Sequence, residues 1–333
     1  MKRIIPFIFI LFALQACSED INESQDKHNV FETLWTILDQ KYCFFDAKNV
    51  DWDNVHDTYA ARVDTCSNST SLFKVLGEMI CTLQDGHVNL YAAQDYIRYW
   101  KWFEDYPTNF SEELERVYLG TDYKISAGLS YRILPSSNVG YITYRSFSSS
   151  ISESGLDFIF NYFKNCHGII IDVRDNSGGD LSNVDKLASR FTEEKIISGY
   201  IKHKTGPAHD DFSKPYPIYL EPSSRIRYTK NVVVLTNRLC YSATNAFVST
   251  MRQLPNVTIM GDRTGGGSGF PISSMLPNGW RVRFSSCPTY DSDMNLTEEG
   301  IDPDLNVQLR DADKLKGIDT IIETACAYLR RIR

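Results

Sequence analysis

Apolar and polar residues alternate along the chain in two patterns, and each predicts a different kind of element. In the first quarter of the chain the apolar positions recur every three or four residues, which predicts amphipathic helices. Further on, three short runs are almost wholly apolar: Ile169–Val173, Val232–Leu235 and Val257–Met260. Helical patterns over Leu181–Phe191 and Ala243–Leu254 separate them. Buried strands that alternate with helices predict an α/β core on a parallel sheet covered on both faces.

Other segments give weaker patterns. Asn138–Tyr144 alternates as a strand, Ile151–Phe163 reads as a helix, and the turn 277–279 (Pro-Asn-Gly) predicts a hairpin. The aromatic-rich stretch Tyr96–Phe103 either lines a cleft or packs a junction between subdomains, and the second interpretation is favoured.

The N-terminus has the features of a targeting segment. Two basic residues precede the apolar core Ile4–Leu14, which is too short to span a membrane. The core ends in Leu14-Gln-Ala-Cys17, which resembles a bacterial lipobox and so implies cleavage before Cys17 and acylation of that residue. The acidic residues that follow resemble the export tag of surface lipoproteins. We expect a lipid-anchored protein of the bacterial cell envelope, in the outer membrane; the alternative is an ordinary secretory signal.

The same patterns predict the domain organisation. We expect a signal peptide over residues 1–16, a tether over 17–27, an N-terminal helical subdomain over 28–95 and an α/β core over 96–333.

Composition and charge narrow the function classes. A hydrophobic content of 42% is that of a globular protein, and the net charge of −7 argues against a nucleic-acid partner. Of the eight cysteines, seven remain if Cys17 is acylated, and no spacing indicates a metal site. Disulfides Cys43–Cys66 or Cys66–Cys81 stay open, although apolar surroundings favour free buried thiols.

Two turns offer groups suited to acyl transfer. Ser242 stands at a predicted helix start, where backbone N–H groups and a partial positive charge favour a developing alkoxide. The glycine pair Gly178-Gly179 follows a predicted strand, and its amides with that of Ala243 would stabilise an oxyanion. From the residues alone, Ser242 is either a nucleophile or a helix N-cap, and the glycines either an oxyanion hole or a turn with positive φ.

A nucleophilic serine needs a base. Among six histidines, His87 stands out, because it follows a turn glycine and precedes a predicted strand. A third, acidic member would come from the segment 297–304, which offers Glu298, Glu299, Asp302 and Asp304.

Four motifs, in order, resemble those of the C-terminal-processing-protease and tricorn-core family of serine peptidases. They are Asp85–Val88 (D-G-H-V), Ile171–Gly179 (I-D-V-R-D-N-S-G-G), Tyr241–Asn245 (Y-S-A-T-N) and Glu298–Asp304 (E-E-G-I-D-P-D). The resemblance implies a ClpP/crotonase-like α/β spiral core behind an N-terminal helical subdomain. It also implies the roles residue by residue: nucleophile Ser242, general base His87 and acid Glu298, with oxyanion donors from Gly178 or Gly179 and from Ala243.

The chain departs from the family pattern at three positions. Gly267 stands where the Ser-Lys branch has its lysine, which favours the His-dependent, tricorn-like branch. Gly86 stands where that branch often has a serine, and Asn245 replaces an acidic residue. No clear PDZ-like module precedes the core.

The sequence therefore predicts an exported, lipid-anchored serine endopeptidase that acts on peptides or proteins without a cofactor or metal. Its oligomeric state stays open. The alternative of another class is a catalytically silent peptide-binding lipoprotein on the same scaffold. A crotonase-type acyl-CoA enzyme is disfavoured, because CoA is cytosolic and the chain carries an export signal.

Overall fold

The computed structural model describes residues 23–331, with side chains from residue 27. The predictions of a signal peptide over 1–16 and of acylation at Cys17 lie outside these residues. The helices are α1 (Glu23–Lys41), α2 (Trp52–Asp64), α3 (Ser69–Cys81), α4 (Lys101–Glu104), α5 (Glu112–Leu119), α6 (Glu153–Tyr162), α7 (Leu181–Ala188), α8 (Ala243–Arg252), α9 (Asp311–Lys314) and α10 (Thr320–Arg331). The strands are β1 (Asn89–Tyr91), β2 (Tyr96–Arg98), β3 (Lys124–Ser126), β4 (Leu129–Leu134), β5 (Val139–Thr143), β6 (Ile169–Asp172), β7 (Ile196–Ile201), β8 (Tyr216–Leu220), β9 (Val232–Thr236), β10 (Val257–Gly261), β11 (Pro271–Met275), β12 (Arg281–Ser285), β13 (Thr289–Tyr290) and β14 (Leu305–Asn306).

The first three helices form the helical region that the apolar periodicity predicts. Polar caps set their starts: Asp51 accepts a hydrogen bond from the backbone of α2, and Asn68 forms a capping box with Ser71 at α3. Their apolar faces share one core. Helix α1 begins inside the segment predicted as a tether.

A seven-stranded sheet forms the larger unit, in the order β14-β10-β9-β6-β5-β4-β3. Within this sheet β5, β6, β9, β10 and β14 run parallel, as the apolar runs predict, whereas β3 and β4 add an antiparallel edge. Alternate residues face opposite layers: Ile169 and Ile171 pack in one core and Ile170 packs in another with α10. The antiparallel edge comes from a segment in which the sequence analysis assigned no element.

A smaller sheet, in the order β11-β12-β1-β2, joins the helical region to the larger unit. The β11–β12 hairpin at 277–279 is confirmed. One face of this sheet carries Leu90, Val282 and Phe284 into the core of the helical region. Since side chains alternate between faces, the opposite face carries the polar residues of β1 and β12. A third sheet, β13-β7-β8, completes the described fold.

All seven cysteines in the described part of the chain are free, so neither disulfide left open by the sequence forms there. Among residues 23–331, no helix combines the length and apolar character needed to cross a bilayer.

Candidate active site

Ser242 occupies a strained backbone position directly before α8. Its φ of 58° and ψ of −121° are costly for a residue with a Cβ, and its N–H donates to the Gly266 carbonyl at 2.9 Å. Its side chain makes no capping hydrogen bond. Ser242 therefore stands at the N-cap position without capping the helix through its side chain, and its hydroxyl is free for another partner.

That partner is His87. The turn between α3 and β1 carries the imidazole, which is only 3% exposed, and its Nε2 lies 3.0 Å from the Ser242 Oγ. The two residues are 155 positions apart in the chain. A hydroxyl within hydrogen-bond reach of a buried imidazole is the arrangement that activates a serine nucleophile.

The surroundings of His87 favour its neutral form. Burial lowers the pKa of this imidazole to about 4; Asp85 opposes the shift, while the positive charges of Arg283 and Arg98 add to it. Its Nδ1 is buried and has no hydrogen-bond partner among the described residues. At neutral pH the ring is thus unprotonated and able to accept the serine proton.

The glycine turn after β6 lies against the nucleophile. Gly178 has a φ of 105°, and a Cβ on it would lie 2.8 Å from the Ser242 Cβ and 3.0 Å from the Ala243 nitrogen. Asn176 holds this turn, since its Oδ1 accepts hydrogen bonds from the Gly178 N–H at 3.0 Å and from Thr244 at 2.7 Å. Glycine is required here by both backbone conformation and space.

Two amides near the nucleophile have no internal acceptor. Within residues 23–331, neither the Gly179 N–H nor the Ala243 N–H donates a hydrogen bond, whereas the Gly178 N–H donates to Asn176. Unpaired N–H groups at a helix start and a glycine turn are the donors that an oxyanion hole needs.

Glu298 is buried, but it does not contact His87. Its Oε2 accepts the Ser268 N–H at 2.8 Å, and its Oε1 lies 3.3 Å from the Lys48 Nζ. Burial and the negative charge of Asp85 raise the pKa of Glu298 to about 8, against the opposing pull of Lys48. The neighbouring Glu299 also contacts Lys48, yet its side chain is 61% exposed. The acid expected from the sequence therefore pairs with a lysine, and the described structure does not bring it to the imidazole.

Asp85 is a site residue to which the sequence analysis gave no role. Its Oδ1 accepts the His87 N–H at 2.7 Å, and its Oδ2 accepts the hydroxyls of Ser285 at 2.7 Å and Tyr42 at 3.2 Å. The side chain is fully buried, so these donors from three elements fix the backbone of the histidine turn. Its place at the start of the D-G-H motif was the available signal. No sequence signal pointed to Lys48, because this residue lies in a polar turn outside every motif.

The three departures from the family pattern have physical counterparts. A Cβ on Gly267 would lie 2.4 Å from the Tyr241 ring, so a lysine has no room there. A Cβ on Gly86 would lie 2.6 Å from the Trp102 Nε1, and Trp102 stacks on Tyr241 with ring centroids 4.1 Å apart. Asn245 is buried and donates to the Thr297 carbonyl at 3.0 Å, which ties α8 to the segment that carries Glu298. The packing interpretation of the aromatic stretch holds only in part. Trp102 is 7% exposed, whereas Tyr96 is 47% and Trp100 37% exposed. Tyr99 and Trp102 also line a cavity that Gly86, Tyr241 and Glu298 share, as the cleft interpretation expects.

The segments on either side of the histidine turn match known family models. The chain matches Peptidase family S41 over residues 138–307 and the Tricorn protease C1 domain over residues 24–81. The chain belongs to peptidase family S41. The S41 match covers the glycine turn, the nucleophile turn and Glu298, and the C1 match covers most of the three-helix region.

Relatives agree with this assignment. The carboxy-terminal processing protease CtpA of Bacillus subtilis is 23% identical over 191 residues, which are 57% of this chain and 39% of CtpA. The chain thus spans well under half the length of that curated relative. A crystal structure from Parabacteroides merdae, named as a candidate peptidase, is 53% identical with a TM-score of 0.88 and covers 91% of this chain and 96% of that one.

Distant structures confirm the fold. Mature CPAF, solved with lactacystin, is 12% identical with a TM-score of 0.68, and the match covers 93% of this chain and 97% of that one. The predicted α/β core with an N-terminal helical subdomain is confirmed, and its structural neighbours are S41 proteases. Membership of a serine-peptidase family is confirmed with it.

Proposed function

We propose that this S41 member is an exported, lipid-anchored serine endopeptidase that cleaves peptide bonds through an acyl-enzyme. The observation that carries the proposal is the 3.0 Å contact between the Ser242 Oγ and the His87 Nε2, beside unpaired amides. A serine, a neutral base and two free donors make up the minimum set for acyl transfer.

In the proposed mechanism the His87 Nε2 takes the proton from the Ser242 Oγ as that oxygen attacks the substrate carbonyl carbon. The N–H groups of Ala243 and Gly179 then stabilise the tetrahedral oxyanion. The imidazolium, favoured by the nearby charge of Asp85, protonates the leaving amine. Water attacks the acyl-enzyme with His87 again as base, and the acid product leaves with Ser242 restored.

Glu298 acts at a distance in this proposal. Its carboxyl group contacts Lys48 and holds the loop at Ser268, and it touches neither the serine nor the imidazole. We therefore assign it a positioning role within the Ser-His-Glu set that the family resemblance implies.

The test of the chemistry is intact mass after treatment with a fluorophosphonate probe. We expect a single adduct on the wild type, and none on Ser242→Ala or His87→Ala, with the loss of peptide hydrolysis in the same two variants. Hydrolysis that survives Ser242→Ala contradicts the mechanism.

The lipid anchor and the envelope location depend on Cys17 and need their own test. We expect metabolically labelled fatty acid on the wild type and none on Cys17→Ala, together with fractionation of the wild type into the outer membrane. An unlabelled, secreted wild type contradicts this part of the proposal and leaves the peptidase chemistry standing.

A second candidate function is peptide binding without turnover. The Nδ1 of His87 favours it, because within residues 23–331 this atom is unpaired and no acid orients the ring or stabilises its cation by direct contact. A folded wild type that retains peptides but gives no adduct and no cleavage would establish this alternative.

A further inference from the structure

Two arginines lie in one row across the small sheet, next to the Ser242–His87 pair. In β1, Asn89 is directly opposite Arg283 of β12 on one side and Arg98 of β2 on the other. Residues directly opposite in antiparallel strands share a face, so the three side chains form a row. The next row, with Leu90 at its centre, packs into the core of the helical region, which places the arginine row on the opposite face.

The row borders the candidate active site. Asn89 follows His87 by two positions, and its Nδ2 donates to the Gly86 carbonyl at 3.0 Å, so the row and the histidine turn are one rigid piece. Burial lowers the pKa of His87 most and Asp85 raises it. The positive charges of both arginines lower it further. Both guanidinium groups are therefore within electrostatic reach of the imidazole.

Neither arginine has an acidic partner among the described residues. Arg98 lies over the Trp100 ring at 4.2 Å, and its Nε is buried without a hydrogen-bond partner. Arg283 is half-buried, and burial lowers the pKa of its guanidinium below the usual value. Elsewhere buried arginines are paired, as Arg174 is with Asp172 and Asp319. Two partly buried, unpaired cations in a chain of net charge −7 are a cost to folding unless a ligand supplies the anion.

We propose that Arg98 and Arg283 form a carboxylate-binding subsite that holds a carboxylate of the peptide substrate while its carbonyl lies on Ser242. The subsite rests on the proposed peptidase function. The guanidinium group presents a planar set of donors that matches a carboxylate, which gives geometric selection as well as charge. The carboxylate comes either from the C-terminus of the peptide or from an aspartate or glutamate side chain, and both sources share this chemistry.

The test is cleavage of a proteome-derived peptide library, read by mass spectrometry. We expect wild-type cleavage sites to lie at a fixed distance from a carboxylate, and cleavage to fall when all carboxylates of the library are amidated. In the double variant Arg98→Gln/Arg283→Gln, kcat/KM for carboxylate peptides should fall about 10- to 100-fold, the effect of losing charge-assisted hydrogen bonds. Synthetic peptides with an amidated C-terminus, or with asparagine for aspartate, identify the source.

The control is Arg227→Gln, which removes the same charge at an exposed site where Arg227 donates to the Ser223 carbonyl. It should leave the preference unchanged. Fluorophosphonate labelling of the double variant at the wild-type rate shows that its nucleophile is intact. If this labelled variant cleaves carboxylate peptides as fast as the wild type, the subsite is refuted and the peptidase proposal stands.

A wild type without adduct or cleavage refutes the peptidase proposal but leaves the subsite testable. Immobilised Ser242→Ala protein is then exposed to the same library, with and without the two arginine substitutions. Retention of carboxylate peptides that depends on the arginines supports the subsite, and retention that ignores carboxylates overturns it.

Discussion

The two halves of the candidate catalytic pair are held in different ways. Ser242 is fixed mainly by its own turn: a strained backbone, a hydrogen bond to Gly266 and close contact with the Gly178 turn. His87 is fixed from outside, because Asp85 accepts hydrogen bonds from the His87 N–H and from the hydroxyl groups of Tyr42, which follows α1, and Ser285 of β12. The imidazole itself has a single hydrogen-bond partner within the described chain, the Ser242 hydroxyl.

This difference indicates where the site tolerates change. The nucleophile side belongs to the core of the large sheet and needs specific backbone shapes. The histidine side joins a second hydrophobic core to the first, so its precision depends on packing between units. Substitutions on the serine side should lower activity by distorting the backbone around Ser242. Substitutions on the histidine side should lower it by changing the position or the pKa of His87.

The largest effect is expected from Gly178→Ala. The new Cβ would lie 2.8 Å from the Ser242 Cβ, at a φ that disfavours alanine. Because the turn and the nucleophile must separate, kcat/KM should fall about 10²- to 10³-fold, as when an oxyanion donor is lost. Gly279→Ala is the matched control, since Gly279 also has a positive φ but its Cβ would meet nothing within 4 Å. It should lose about 1 kcal/mol of stability and no activity. Full activity in Gly178→Ala would contradict the geometry of the serine side.

Asp85→Asn tests the histidine side. The amide cannot accept from all of the donors that surround this carboxylate, and the charge that favours the imidazolium is removed. We expect kcat/KM to fall about 10- to 100-fold and the free energy of unfolding to fall by about 1 to 3 kcal/mol. Kinetics and denaturant melts measure the two effects, with the exposed Asp57→Asn as a neutral control. An unaltered kcat/KM in Asp85→Asn would show that the histidine turn needs no external support.

A smaller effect should separate the two adjacent glutamates. Both lie 3.3 Å from the Lys48 Nζ, but only Glu298 is buried and bonded to the Ser268 N–H. Glu298→Gln should lower kcat/KM about tenfold through loss of positioning. Glu299→Gln should change it less than about twofold, since an exposed ion pair contributes little. Equal losses in the two variants would mean that the contact of either carboxyl group with Lys48 sets the activity, and that the buried contact of Glu298 with the Ser268 N–H does not.

The smallest expected effect is the change in kcat/KM when the pH is lowered to mildly acidic values. With the pKa of His87 near 4, the base stays neutral down to that pH, so the acid limb of kcat/KM should have its midpoint at about pH 4. Lowering the pH from 7 to 5 should cost less than about twofold, whereas an ordinary imidazole would lose roughly 25-fold. The double variant Arg98→Gln/Arg283→Gln should move the midpoint upward, because two charges that oppose the imidazolium are gone. A wild-type midpoint near pH 6.5 would mean that the imidazole is hydrated.

Much of this architecture follows from local sequence. The apolar runs at β6, β9 and β10, the helices that follow β6 and β9, and the Pro-Asn-Gly hairpin all lie where periodicity and turn residues indicate. The antiparallel strands β3 and β4 do not, because β3 has only three residues and the buried positions of β4 (Leu129, Tyr131 and Leu134) do not keep a strict alternation. The sequence motifs also indicate the family and single out Ser242, His87 and the glycine turn.

Tertiary structure alone decided which of these residues meet. The Ser242–His87 contact spans 155 positions, and the pairing of Glu298 with Lys48 joins residues from opposite ends of the chain. Periodicity and turn chemistry are local properties, so they determine strands, helices and strained turns. Which side chain lies 3 Å from which other depends on how two hydrophobic cores pack against each other, and that free energy is summed over residues far apart in the chain. The sequence thus determined the family and the candidate nucleophile, and packing decided that Glu298 pairs with a lysine while Asp85 holds the base.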